Sequence, residues 1–180
     1  MRRLMLLRHA KTEHDMPSGR DQDRRLDERG RNDAAEMGNW IGRHPPFPDA
    51  VLVSPAVRAR QTWETVWETV QDRVPQPQVE FPAELYGADP AQLLQTIRTA
   101  VAADPKQLLV VGHNPGMHEL ALALAGSGEP AARQALADNL PTTGLAVFEF
   151  AVDGWDDVAF RCGRLVLFLT PKRLKQTSED

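Results

Sequence analysis

The sequence predicts an α/β fold in which helices pack on a largely parallel sheet, and three observations predict it. Short apolar runs such as Leu4-Met5-Leu6-Leu7 and Leu108-Leu109-Val110-Val111 stop at glycine, proline or charged breaks, as buried strands do. Helical patterns alternate with these runs along the chain, the signature of helices covering a sheet. Two of the runs lead straight into a histidine, one in Arg8-His9-Ala10-Lys11 and one in Gly112-His113-Asn114-Pro115-Gly116. Loops at the carboxyl ends of such strands are where α/β proteins place ligands. Both imidazoles are therefore expected in one crevice.

The elements follow in order. After the first strand, residues 11–23 are polar and carry Pro17-Ser18-Gly19, which predicts a mobile loop beside His9. Gly30, Ala34, Met37 and Ile41 are spaced four, three and four apart, a helix with Asp27 as its N-cap, ended by Pro45-Pro46-Phe47-Pro48. Residues 50–53 are the next strand. Ser54-Pro55 then supplies a cap followed by proline at the first helical position, and that helix runs to about Val70. Residues 79–81 are a short strand, and Asp89-Pro90-Ala91-Gln92 starts a helix with capping-box spacing. Leu94, Ile97 and Val101 form its inward stripe. Asp104-Pro105-Lys106 precedes the strand to His113, and Pro115-Gly116 set that histidine ahead of a helix over 117–125. Strands over 145–150 and 165–169 complete the sheet, with Asp153-Gly154 as a turn between the first of them and residues 158–161.

Length and composition narrow the function. The 180 residues suit one domain, expected over 1–172 with a flexible tail over 173–180, and 42% hydrophobic residues are enough for one continuous core. A net charge of −4 with Arg and Lys interleaved among Asp and Glu argues against a nucleic-acid surface. Cys162 alone allows neither an internal disulfide nor a Cys-rich metal site, which fits a reducing compartment. The apolar run after Met1-Arg2-Arg3 stops at Arg8-His9, short of secretory length, and no other stretch approaches membrane-spanning length. A cytoplasmic protein with no membrane partner is expected; the oligomeric state is left open.

Arg8-His9 alone could be a solvated charge pair at a strand end. Arg58, however, falls in the first turns of a helix leaving another strand, with Arg60 pointing elsewhere around that helix. Two arginines, two histidines and free N–H groups after Pro115 make an anion site suited to phosphoryl groups. Guanidinium charges around His9 disfavour its protonated form, leaving a lone pair for in-line attack on phosphorus and a phosphohistidine intermediate. Arg8, Arg58 and His113 would stabilise the equatorial oxygens. Zinc is disfavoured, because the chain lacks H-E-x-x-H or a Cys cluster and the arginines repel a cation. No metal and no cofactor are expected.

Arg8-His9-Ala10-Lys11, Arg24-Arg25-Leu26 with Gly30, Ser54-Pro55 through Arg58-Ala59 to Gln61-Thr62, and Val111 through Gly116 occur in this order over nearly the whole chain. Together they resemble the histidine phosphatase (phosphoglycerate mutase-like) superfamily, and within it the short bacterial phosphohistidine phosphatases of the SixA type. The resemblance implies a three-layer α/β/α sandwich of phosphoglycerate mutase-like form. It implies His9 as the phosphoryl-accepting nucleophile and Arg8, Arg58 and His113 as the phosphate pocket. Arg24 matches an arginine near the pocket of similar proteins, although Arg25 stands where a proline is usual; a solvated residue before a helix is the alternative.

Glu84, in Pro82-Ala83-Glu84-Leu85-Tyr86, occupies the region where larger relatives keep a proton donor, or is an exposed loop glutamate. An alkoxide leaving group needs a positioned acid more than the imidazole of a phosphohistidine does. His118 and His14 are expected to be structural or solvated, Trp40, Trp63 and Trp67 to pack in the core, and Thr142-Thr143-Gly144 to border the pocket or simply turn. The expected substrate is a protein-borne phosphohistidine. A small phosphorylated metabolite, or a phospho-ligand held without turnover, are the alternatives.

Overall fold

The computed structural model describes residues 1–99 and 104–177. Along the chain, β1 (Arg2–Arg8) leads to α1 (Glu28–Arg43), β2 (Ala50–Val53) to α2 (Val57–Val70), β3 (Gln78–Glu80) to α3 (Pro90–Thr99), and β4 (Gln107–Gly112) to α4 (Gly116–Leu124). Then follow β5 (Ala125–Gly128), α5 (Pro130–Asp138), β6 (Leu145–Phe150), β7 (Gly163–Leu169) and α6 (Pro171–Thr177). The strands form one sheet in the order β3-β2-β4-β1-β6-β7-β5. β1, β2, β3 and β4 pair in parallel, as do β5 and β7, while β6 runs antiparallel to both its neighbours.

Alternation along each strand divides the core between two faces. Met5, Leu7, Val51, Val53, Leu109 and Val111 lie under Met37 and Ile41 of α1, Trp63 and Val66 of α2, and Leu174 of α6. Leu4, Leu6, Leu52, Leu108 and Val110 lie under α3, α4 and α5. Both faces being covered, the strands carry unbroken apolar runs. The result is the three-layer α/β/α sandwich with a mostly parallel sheet. Register then places the site: Arg8 pairs with Gly112 and Val53 with Val111, so His9, Ser54 and His113 emerge side by side at the carboxyl ends of three neighbouring strands.

α1 begins as its sequence predicts, with Asp27 Oδ1 accepting the Gly30 N–H at 2.7 Å. Gly30 is there for space, because a methyl group would overlap the carbonyl oxygen of Lys11, whose chain runs directly beneath. Gly30→Ala is expected to cost about 1–3 kcal/mol of stability in denaturant unfolding. It should also lower turnover, since Lys11 is two residues from His9. The start of α3 is also as expected: Asp89 and Gln92 exchange reciprocal side-chain to backbone bonds at 2.8 and 3.0 Å. Leu94 and Ile97 are buried, whereas Val101 lies outside the described residues.

One expectation is corrected and two stretches add to the sequence reading. Within the stretch expected as a flexible tail over 173–180, the chain is helical through Thr177 in a helix that starts at Pro171 and buries Leu174 against the α1–α2 layer; residues 178–180 lie outside the described residues. β5 and α5 add to the sequence reading: Ala-Gly-Ser-Gly has no apolar alternation, and α5 opens with Pro130 at its first position but buries only Ala132 and Leu136. Ser54 does not cap α2, which begins at Val57 after Ala56. Its hydroxyl is engaged elsewhere.

Candidate active site

His9 leaves β1 on a backbone held from both sides. Its N–H donates to Gly112 O at 3.0 Å, and the Thr143 N–H donates to the carbonyls of Arg8 and His9, each at 3.1 Å. Thr143 thus borders the site and fixes this corner through its own backbone, at a φ of 61°. The next residue is tied to α2, because Thr62 Oγ1 accepts the Ala10 N–H at 2.9 Å and donates to Arg58 O at 2.7 Å. Gln61 accepts the Leu26 N–H in the same way. These bonds give the Gln61-Thr62 pair its place in the pattern.

The His9 ring is fixed as firmly. Nδ1 lies 2.7 Å from the Ala10 carbonyl, which can only accept, so Nδ1 carries the proton and Nε2 keeps the lone pair. Burial pushes the imidazole down to about 3; His113, Arg58 and Arg8 press the same way and the Ala10 carbonyl partly opposes them. The expected neutrality holds, but its main cause is desolvation, with the guanidinium charges secondary.

His113 stands next to His9, ring centroids 5.2 Å apart. Burial first, then Arg58, brings it down to about 4. Arg58, 5% exposed, projects from the first turn of α2 into the same space, while Arg60 is exposed and lies over the Phe81 ring. Arg8 donates to Leu140 O at 3.1 Å, and burial lowers its pKa from the ordinary arginine value. Arg24 donates to Thr12 Oγ1 at 2.9 Å and is close enough to act on the charge of His113. Arg8 Nε, Arg24 Nε, Arg58 Nε and His113 Nδ1 are all buried with no partner in the protein. Unpaired buried polar nitrogens are costly, and three guanidinium donors beside an imidazole nitrogen in one cluster mark a place built for a multiply accepting anion.

Three further residues were not foreseen. Asp21, on the 3-10 turn Asp21–Asp23, accepts from Arg58 through both its carbonyl (2.8 Å) and its carboxylate (2.9 Å). Tyr86, the chain's only tyrosine, donates to the same carboxylate at 2.7 Å and meets His113 edge to face at 5.6 Å. These bonds, Tyr86 first, hold Asp21 below the usual carboxylate range. Ser54, fully buried, lies 2.6 Å from His113 Nε2. Only Tyr86 had a nearby signal, two residues from Glu84. Asp21 and Ser54 reach the site by long-range packing that no local pattern records.

The remaining residues singled out by the sequence fall as follows. Two of the N–H groups after Pro115 are engaged: Met117 N–H donates to His113 O and His118 N–H to Asn114 Oδ1. A short helix closes its own first turn in this way. Glu84 is exposed on the 3-10 turn Ala83–Leu85 and, among the described residues, makes no hydrogen bond or ion pair to either site histidine. His118 is structural, lying 2.6 Å from Leu136 O, and His14 is exposed. Trp63 is buried, and Trp40 and Trp67 pack against the same core.

Comparison with known proteins agrees with this geometry. Residues 4–79 match the family model of the histidine phosphatase superfamily, branch 1. A crystal structure from Agrobacterium tumefaciens assigned as the phosphohistidine phosphatase SixA is 31% identical, covering 94% of this chain and 98% of its own with a TM-score of 0.77. The chain belongs to the histidine phosphatase superfamily. It is also 38% identical to the uncharacterized protein Rv1276c of Mycobacterium tuberculosis, over 92% of this chain and all of that one. The fold extends to the mycobacterial glucosyl-3-phosphoglycerate phosphatase Rv2419c at 17% identity and a TM-score of 0.61, with 92% and 98% of the two chains covered. As a phosphatase of this superfamily, the protein would use the cluster around His9 for phosphoryl chemistry.

Proposed function

We propose that the protein is a metal-independent phosphohistidine phosphatase acting through a covalent phospho-His9 intermediate. The observation that carries this reading is the pairing of a neutral, oriented nucleophile with a site in which, among the described residues, no carboxyl group is hydrogen-bonded to either histidine. His9 Nε2 attacks phosphorus and the bond from phosphorus to the substrate imidazole breaks; with that ring protonated at its other nitrogen, the electron pair stays on the departing nitrogen and the ring leaves as neutral imidazole, taking no proton from the site. The phospho-His9 ring keeps its Nδ1–H on the Ala10 carbonyl, so it later departs from phosphorus as a neutral imidazole when water attacks. Arg8, Arg24, Arg58 and His113 would supply, through hydrogen-bond donors and charge, the oxyanion stabilisation that a metal ion supplies in other phosphatases.

The leaving group is chosen by what surrounds the pocket. Expelling an alkoxide calls for a positioned acid of raised pKa. Asp21 is held low and is ionised at neutral pH, Tyr86 is raised above the ordinary phenol by its bond to Asp21, and Glu84 is exposed. An imidazole leaving group exchanges one nitrogen for another and needs less. The similarity to the structure assigned as SixA supports the same substrate class. The phosphorylated protein would be met in the cytoplasm.

The test compares turnover of a phosphohistidine peptide and of an aryl or alkyl phosphate, with and without a chelator. The expected result is chelator-insensitive turnover strongly favouring the peptide. Glu84→Gln should change kcat/KM on either substrate by less than about threefold, the range of an exposed change away from the chemistry. Preference for the ester, with a large loss in Glu84→Gln, would replace phosphohistidine by a small phosphorylated metabolite. Tight oxyanion binding with no turnover would point to a binding module.

A further inference from the structure

The two site histidines are fixed in opposite senses, and Ser54 sets the second of them. Ser54 sits where β2 ends, its backbone N–H donating to Val111 O at 3.0 Å, so the β2–β4 register holds its side chain against His113. Its hydroxyl is 2.6 Å from His113 Nε2 and is fully removed from solvent.

The direction of that bond follows from counting protons. A serine hydroxyl carries one donor and two acceptor sites. The other polar group near Ser54 Oγ is the Ala56 N–H, at 3.4 Å, which can only donate. Among the described residues, His113 Nε2 is therefore the one acceptor within reach of the Ser54 proton. Were Nε2 to carry a hydrogen instead, the Ser54 hydroxyl would be buried with its proton unsatisfied, at a cost of about 1–3 kcal/mol.

We propose that Ser54 is a positioning residue that donates to His113 Nε2 and so locks the neutral ring in its Nδ1–H form, making His113 a hydrogen-bond donor to the phosphoryl group. Nδ1 is the ring atom that is buried without a protein partner, in company with the unpaired Nε atoms of Arg8, Arg24 and Arg58. His9 shows the complementary arrangement: its Nδ1 proton is spent on the Ala10 carbonyl and its Nε2 lone pair is presented. One histidine attacks while its neighbour donates, and neither needs a positive charge. A neutral donor suits a ring whose burial already opposes protonation. A preorganised neutral donor in a dry site still stabilises developing charge on the oxygens.

The proposal concerns the orientation of one ring and rests on the phosphatase reading only for its kinetic arm. The first experiment is a nitrogen-15 spectrum of the histidine rings of the whole protein near pH 7, where protonated and bare ring nitrogens differ widely in shift. His113 is expected to show a protonated Nδ1 and a bare Nε2. The reverse assignment would overturn the proposal whatever the enzyme hydrolyses, and needs no variant to fold. In the second, Ser54→Ala should give His113 a mixture of both forms, and kcat/KM should fall on the order of 100-fold, the loss of one preorganised donor. Ser54→Thr, which restores the hydroxyl, should recover most of the rate and the single form. A merely structural serine would lose melting temperature in Ser54→Ala and leave the His113 nitrogen shifts where they were, which would also overturn it.

Discussion

His9→Ala is expected to lower kcat/KM on a phosphohistidine peptide by at least about 10,000-fold and to abolish any acid-labile, alkali-stable label on the protein. The size follows from what is removed, since a covalent route loses its first bond when the nucleophile is lost. The surrounding donors would still bind oxyanions, so affinity for tungstate or inorganic phosphate should survive within a fewfold. The pH behaviour separates this histidine from an ordinary one. His9 protonates only near 3 and His113 near 4, so neither should impose an acid limb on kcat/KM near the 6.5 of free imidazole. Stability moves in a definite direction as well. Between about 6.5 and these values the unfolded chain binds more protons than the folded one, so stability falls as the pH drops through that window. His9→Ala removes its share of that slope, and melting curves between pH 7 and 4 should therefore be flatter for the variant. Retained label or retained turnover in His9→Ala would exclude His9 as the nucleophile.

Most of this site was legible because its residues sit at element ends, where local patterns are strongest. The runs ending at Arg8 and Gly112 are strands because both of their faces are covered, and their parallel register puts His9 beside His113. Arg58 was separable from Arg60 by helix geometry alone. What stayed hidden depends on contacts between distant segments. Ser54-Pro55 has the local form of a helix start, yet the serine is used by His113, 59 residues away, because the β2–β4 register outweighs a cap. Asp21 lies in a polar loop where an acidic residue is unremarkable, and only the packing of that loop over α2 brings its carboxylate to Arg58. α6 has no periodic apolar stripe to announce it: Pro171 and Leu174 are its buried residues, and Lys175 ties it to Asp33 of α1, a contact between distant segments.

Arg58→Ala is expected to lower kcat/KM by about 1,000-fold, the second largest effect, and to weaken tungstate binding in parallel. Its guanidinium is almost fully buried, presses on the charge of both histidines and carries an unpaired Nε, so its removal takes both a charge and a directed donor from the transition state. Arg58→Lys should recover little, because an ammonium lacks the planar fork that meets two phosphoryl oxygens at once. The same fork already holds Asp21, and that contact must yield to the substrate. It can do so cheaply: the Asp21 side chain is 47% exposed, and ion pairs with an exposed partner are worth roughly 0.2–1 kcal/mol. A phosphoryl dianion facing several buried donors outcompetes one carboxylate. Asp21→Asn should therefore act opposite to Arg58→Ala, tightening tungstate or phosphate binding about two- to fivefold as the competing charge is lost. Inhibition constants for tungstate in the two variants decide the matter. If Asp21→Asn instead weakens binding, the carboxylate is holding Arg58 in its productive pose, and the loop around Asp21 belongs to the phosphate pocket rather than competing with its ligand.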